Sequence, residues 1–235
     1  MQKTKKLNIA PCSFEASKAA VMRWHYSKSM PSSRLVRYGV WEDNQFVGSV
    51  IYGRGATPTV YKRIGLKQTE ACELVRVALG NHETPTTKII AVTLRMLKKS
   101  NSGLHLVFSF SDLDQGHQGT IYKAGNWIDV GLRMKGDIGG DVLNGKKVHL
   151  RTLCGVMKQH VGHNRNMFEW CKRNKDPDAK PFSGKGKRQW VYPFTETGKK
   201  CAQSIVGEAP NDQLGEGGSS PTCTLSNKKA VAPTK

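Results

Sequence analysis

A chain of 235 residues suits one domain of about 150–200 residues with extensions better than two full domains. With 37% hydrophobic and 8% aromatic residues it can bury a core, which excludes wholesale disorder, and no stretch comes near the ~18 uninterrupted apolar residues of a membrane span. The net charge of +19 is uneven: Lys and Arg outnumber Asp and Glu by 20 to 9 in residues 1–135 and by 14 to 6 in residues 136–200, but stand at 3 to 3 in residues 201–235. Such a field attracts polyanions and gains free energy by releasing their counterions, so nucleic acid is the leading partner class. Six cysteines without a C-x-x-C pair argue against a zinc cage or a secreted disulfide framework. Residues 1–6 lead into polar sequence rather than an apolar signal segment, so the expected setting is cytoplasmic.

Ser13 is placed to cap a helix running to about Trp24, with Phe14, Ala20 and Val21 on its buried side. A polar hinge, residues 25–33, precedes two predicted strands at 35–41 and 45–52 around a turn at Glu42-Asp43-Asn44. Residues 53–69 are rich in Gly, Pro and Thr and predict a loop before a strand at 71–79. The strongest helix follows, with Thr84 as cap, Pro85 at the first helical position, and an apolar stripe ending at Lys98-Lys99. Strands at 104–110 and 127–130 flank a short helix at 117–123. A strand, helix, strand order implies a parallel pair joined by a crossover, hence an α/β sheet covered by helices.

Past residue 135 the pattern weakens to a strand at 148–153, a helix at 167–172 and a strand at 188–193. The expected organisation is a catalytic domain over residues 1–153, a basic aromatic extension over 154–200 that packs on the core and contacts DNA, and a disordered tail over 201–235. In the extension Lys172, Arg173, Lys185, Lys187 and Arg188 are the candidate phosphate contacts, interleaved with rings suited to stacking on bases. A soluble basic flap is the plainer alternative, with Trp190 and Tyr192 in the core.

The densest polar run, residues 109–119, directly follows an apolar strand, where ligands collect in open α/β sheets. It supplies Ser109, Asp112, Asp114 and His117 as candidates for a base, a proton shuttle or hard metal ligands; simple helix capping is the alternative. His25-Tyr26-Ser27 offers a second group of donors at a helix end, where a histidine also serves to compensate the helix dipole. Strict alternation along residues 73–79 puts Glu73 with Val75, Val77 and Leu79 on one face and Arg76 with Leu74 and Ala78 on the other, so each charge interrupts an apolar row. Thr86 and Thr87 open the long helix, whose N-terminus is a weak phosphate cradle.

The run Ile121-Tyr122-Lys123-Ala124-Gly125-Asn126-Trp127-Ile128-Asp129-Val130-Gly131 resembles the late helix-to-strand junction of GNAT acetyltransferases. The pyrophosphate loop of that superfamily is glycine-rich, whereas residues 78–84 here hold only Gly80. A closer resemblance, over residues 23–153 with an echo at 190–193, is to the phage Mom family. It is carried by His25-Tyr26-Ser27, Tyr38-Gly39-Val40, Glu73-Leu74-Val75-Arg76, Ser109-Phe110-Ser111-Asp112, and Gln115-Gly116-His117 with Gly119, Tyr122, Asn126 and Trp127.

The resemblance implies a GNAT-like mixed central sheet flanked by helices, with a basic C-terminal extension. It implies addition of a carbamoylmethyl group to N6 of adenine in double-stranded DNA, blocking restriction enzymes, with acetyl-CoA or a related acyl donor and iron implicated. Catalytic candidates are then His25, Tyr26, Ser27, Glu73, Arg76, Ser109, Asp112, His117 and Tyr122. Thr86, Thr87 and Asn126 are assigned to the acyl donor, and His25, Asp112 and His117 to the metal. A paired adenine must leave the stack to react, with Tyr26, Tyr122 or Trp127 as its stacking partner. Two other readings stay open: a GNAT-like acyltransferase for a protein or small amine, and a non-catalytic basic DNA-binding protein.

Overall fold

In a computed structural model of the chain the described residues are 5–54, 58–133, 138–149, 153 and 167–206. In chain order the elements begin β1 (Leu7–Pro11), α1 (Phe14–Trp24), β2 (Leu35–Glu42), β3 (Gln45–Gly53), α2 (Pro58–Ile64), β4 (Ala71–Leu79) and α3 (Thr86–Ser100). They continue with β5 (Leu106–Asp112), a 3-10 turn (Leu113–Gln115), α4 (Thr120–Ala124), β6 (Ile128–Arg133), β7 (Ile138–Leu143) and β8 (Lys146–His149). Last come α5 (Met167–Asn174), β9 (Lys180–Ser183), β10 (Lys187–Pro193) and α6 (Glu196–Ser204). These residues form two compact units, one from residues 5–133 and 186–206, the other from residues 138–185.

The larger unit is a seven-stranded sheet in the order β1-β2-β3-β4-β5-β10-β6. Only β4 and β5, joined through α3, run parallel; every other pair is antiparallel. It is the mixed α/β sheet flanked by helices that the sequence predicts. Cys72, Leu74 and Val107 turn to the side of α3, meeting Ile89, Ile90, Leu94 and Leu97. Ala71, Leu106 and Phe108 turn to the opposite side and pack with Tyr61 and Ile64 of α2 and Ala202 and Ile205 of α6.

Local chemistry sets the ends of the elements. Ser13 Oγ accepts the Ala16 N–H at 3.1 Å and starts α1 as expected. The first hairpin closes on two residues rather than three: Asp43 and Asn44 both take positive φ, 47° and 67°, and Glu42 pairs with Gln45, the primed turn that matches strand twist. That leaves Glu42, 2% exposed, to accept the N–H groups of Glu83 at 2.9 Å and Thr84 at 2.7 Å. Thr84 therefore does not cap the long helix; Pro85 occupies the cap position and the helix begins at Thr86. Burial pushes the Glu42 carboxyl up, but hydrogen bonds from Thr84 and Glu83 outweigh it and hold the group below its ordinary value.

Several expectations are corrected. Strict alternation fails in β4, because Arg76 pairs with Ile51 while Leu74 pairs with Tyr52, leaving Val75 as an extra residue in a bulge. Leu74, Val77 and Leu79 thereby share the α3 side, while Val75 and Ala78 pack under α1. The stretch expected to be a loop, 53–69, contains α2. Residues 187–193, placed in an extension by sequence, are the strand between β5 and β6. Residues 201–206, expected in a disordered tail, instead complete α6, which runs through Ser204 with Ala202 and Ile205 buried; residues 207–235 lie outside the described residues.

The smaller unit pairs β8-β7-β9 antiparallel. Leu153, Trp170, Cys171 and Ala179 form its core, with Leu143, Val148 and Phe168 against it. Its hairpin turns on Asn144 and Gly145, φ 48° and 73°. The strand expected at 148–153 survives as the end of β8, and residues 150–152 lie outside the described residues.

Replacing Glu42 by Ala strands the two amide donors and is expected to lower the urea unfolding free energy by about 2 kcal/mol at neutral pH. A carboxyl held below its unfolded value stabilises above that value. The gap between wild type and variant is therefore expected to close as pH falls below the ordinary carboxylate value of 4.5.

Candidate active site

The parallel ladder between β4 and β5 has three rungs, Ala71–Leu106, Cys72–Val107 and Glu73–Phe108, and then ends. Beyond it the strands part, and side chains take over the opened backbone. Ser109 Oγ donates to Leu74 O at 2.8 Å, and Arg76 Nη1 donates to Val75 O at 2.7 Å. Because the single Ser109 hydroxyl hydrogen is spent on Leu74, the Tyr122 hydroxyl, 2.8 Å away, donates to Ser109. Tyr122 is 7% exposed. Burial, opposed by the Ser109 hydrogen bond and helped by Tyr26 and Glu73, pushes its phenol up to about 12, so it carries its proton at neutral pH.

The loop after α1 reaches the same place. Arg76 Nε donates to Ser29 O at 3.3 Å. Tyr26 stacks on His25 with centroids 4.4 Å apart and meets the edge of His117 at 5.3 Å. Asp112 lies near enough to act, after burial, in raising the Tyr26 phenol. His25, Tyr26, Ser27, Glu73, Arg76, Ser109, Asp112, His117 and Tyr122 thus belong to one neighbourhood at the carboxyl ends of β4 and β5.

Within it, Asp112 does two jobs. One oxygen accepts the Asp114 N–H at 3.0 Å, the capping role that was the alternative to function, and the other faces Lys187 Nζ at 3.8 Å. Lys187, assigned to DNA by sequence, is in this sheet a partner of the site's own carboxylate. Arg188 likewise faces Asp129 at 3.4 Å. The signal for both was the period-2 run ending in Trp190 and Tyr192: Trp190 is buried and its indole N–H donates to Ser111 Oγ at 2.9 Å. Lys172, Arg173 and Lys185 are exposed and belong to the smaller unit.

The Mom protein family model matches residues 6–210. The chain belongs to the Mom family. No curated protein matches it. Among solved structures it is similar to a Bacillus subtilis acetyltransferase in complex with CoA, at 9% identity and TM-score 0.45 over 81% of this chain and 99% of that one. It is also similar to an N-acetyltransferase from Staphylococcus aureus Mu50, at 8% identity and TM-score 0.45 over 80% and 97% of the two chains. A third is spermidine N-acetyltransferase from Vibrio cholerae in complex with CoA and spermine, at 6% identity and TM-score 0.43 over 81% and 97%.

Two of the three acyl-donor candidates in this Mom-family chain meet at one cavity. Thr87 and Asn126, with Lys88, give polar groups to a space of about 400 Å³ between α3 and α4, walled by Ile90, Leu94, Trp127 and Tyr192. Thr86 is not part of its lining; its hydroxyl lies 3.0 Å from His82 Nε2. The loop before α3 is no phosphate cradle, since the Gly80 N–H goes to Val47 O and those of Glu83 and Thr84 go to Glu42. A side chain at Gly80 would run into Trp24.

The metal assignment does not fit. Among the described residues no three His, Cys, Asp or Glu side chains gather to hold a metal ion, so His25, Asp112 and His117 are neighbours without being a ligand set. The stacking assignment narrows: Tyr122 and Trp127 are 7% and 6% exposed and packed against Trp190 and Tyr192, whereas Tyr26 is 48% exposed.

Ser109→Ala is expected to cost about 1–2 kcal/mol in denaturant unfolding, because the buried Tyr122 hydroxyl loses its acceptor. Adding Tyr122→Phe to that variant should recover part of the loss, and a double-mutant cycle measures the coupling.

Proposed function

We propose that this Mom-family protein modifies DNA, adding a carbamoylmethyl group to N6 of adenine and so shielding phage DNA from restriction in the host cytoplasm. The observation that carries the reading is the meeting of four segments remote in sequence, 25–27, 73–76, 109–112 and 117–122, where β4 and β5 part. These are the segments that bear the family's motifs. Among the described residues no helix is long and apolar enough to cross a membrane, and the net charge of +19 favours a polyanionic substrate.

The chemistry follows from the residues. An adenine extruded from the duplex stacks on the exposed Tyr26 ring. The amine must shed a proton as it forms its new bond, and the Asp112 carboxylate, kept beside Lys187, is the acceptor within the cluster. Arg76, fixed by Ser29 O and Val75 O, supplies positive charge toward the carbonyl oxygen of the carbamoylmethyl group and so holds that group with its methylene toward N6. The cavity between α3 and α4 suits the apolar arm of an acyl-CoA or related acyl donor, with Thr87 and Lys88 as its polar lining; held there, such a donor would supply carbon for the new group, whose bond to N6 is made through the methylene and not through the carbonyl.

Mass spectrometry of nucleosides from DNA of cells making the protein is expected to show a modified deoxyadenosine. Arg76→Ala and Asp112→Asn should lower its yield by about 100-fold or more at unchanged protein level. Unmodified nucleosides with soluble wild-type protein would return the choice to an acyltransferase for another amine or to a DNA-binding protein without chemistry.

Duplex affinity is expected to fall with salt. The double substitution Lys172→Ala and Arg173→Ala should flatten the log–log slope by about 2, one for each lost phosphate contact. An unchanged slope would remove α5 from the interface.

A further inference from the structure

The backbone N–H of Ser27 donates to His25 Nδ1 at 3.1 Å, and Ser27 Oγ lies 2.9 Å from the same nitrogen. An N–H can be accepted only by a lone pair, so Nδ1 carries no hydrogen and the neutral ring bears its proton on Nε2. Stacking on Tyr26 at 4.4 Å fixes the ring plane. Among the described residues the Nε2–H has no acceptor, although His25 sits in the middle of the cluster. Binding a metal through Nε2 would require the proton on Nδ1, where it would face the Ser27 N–H head-on.

We infer that His25 is a neutral hydrogen-bond donor, its Nε2–H reserved for the carbonyl oxygen of the group being transferred, with Ser27 as the positioning residue that sets the tautomer. It acts neither as general base nor as metal ligand. The inference deepens the function proposed above and rests on it for the identity of the acceptor. The tautomer itself rests on geometry alone. The surroundings agree: burial first, then Arg76, His117 and Lys28 nearby, lower the imidazole to about 4, so the ring is neutral at neutral pH. The Asp112 carboxylate acts on the Tyr26 phenol and not on this ring. A neutral donor also matches a neutral carbonyl better than an imidazolium does, because it demands no desolvation of a charge beforehand.

The test uses the full chain labelled with 15N-histidine, the His25 signals being assigned by their loss in His25→Gln. Two-bond proton–nitrogen spectra should show a bare Nδ1 and a protonated Nε2, unchanged between about pH 5.5 and 8. Ser27→Ala, which keeps the backbone donor, should leave that pattern intact. A proton on Nδ1, or a titration midpoint near the ordinary 6.5, would overturn the inference.

In turnover, His25→Gln places an amide N–H near the Nε2 position and should stay within about 10-fold of wild type in kcat, whereas His25→Asn, whose amide falls near Nδ1, should drop by about 100-fold. Equal losses would end the donor role. If wild type leaves DNA unmodified, the DNA reading fails, while the spectra still decide the tautomer.

Discussion

A parallel pair of strands that separates part-way is the constraint on which the rest of the larger unit depends. Paired to the end, β4 and β5 would satisfy each other's backbone and leave nothing to do chemistry with. Separated after Glu73 and Phe108, they expose the Leu74 carbonyl, which must find a donor and finds it in the Ser109 hydroxyl, while Arg76 takes the carbonyl of the bulged Val75. The residues that repair the gap are therefore the ones held rigidly beside it. Tyr122 is drawn in by Ser109 and the hinge after α1 by Arg76, so the cluster follows from backbone accounting.

Charge is arranged with the same economy. Arg76, Lys28 and Lys187 lie around a centre whose named acids are Asp112 and Glu73. A site with this surplus holds a histidine neutral and favours an acceptor that becomes negative. The buried Glu42 carboxylate sits at the approach to α3 instead, where it meets amide donors that a phosphate would otherwise claim.

Much of this was legible in the sequence. The Ser13 cap, the apolar runs of β2 and β3 around Asp43-Asn44, and the apolar stripe of α3 are local signals, and the elements appear where those signals place them. The candidate residues Ser109, Asp112 and His117 stand out because they follow an apolar strand directly, and the fold brings His117 against Tyr26 of the hinge after α1. What stayed hidden depends on partners far away in the chain. The bulge at Val75 arises from pairing with Ile51 and flips the faces that alternation alone assigns. Lys187 and Arg188 look like free cations until β10 is seen between β5 and β6. The Asn144-Gly145 turn was a local hairpin signal that the weak pattern around it masked.

The position of β10 also governs how the protein can be built. Its neighbours, β5 and β6, are made early, but the strand that joins them emerges only after the whole smaller unit has been synthesised. Until then the nascent polypeptide carries two open strand edges, each a template for another copy. Truncation ahead of Lys187 would make that transient permanent, so shortened forms should be prone to self-association even where the residues around the gap between β4 and β5 are retained.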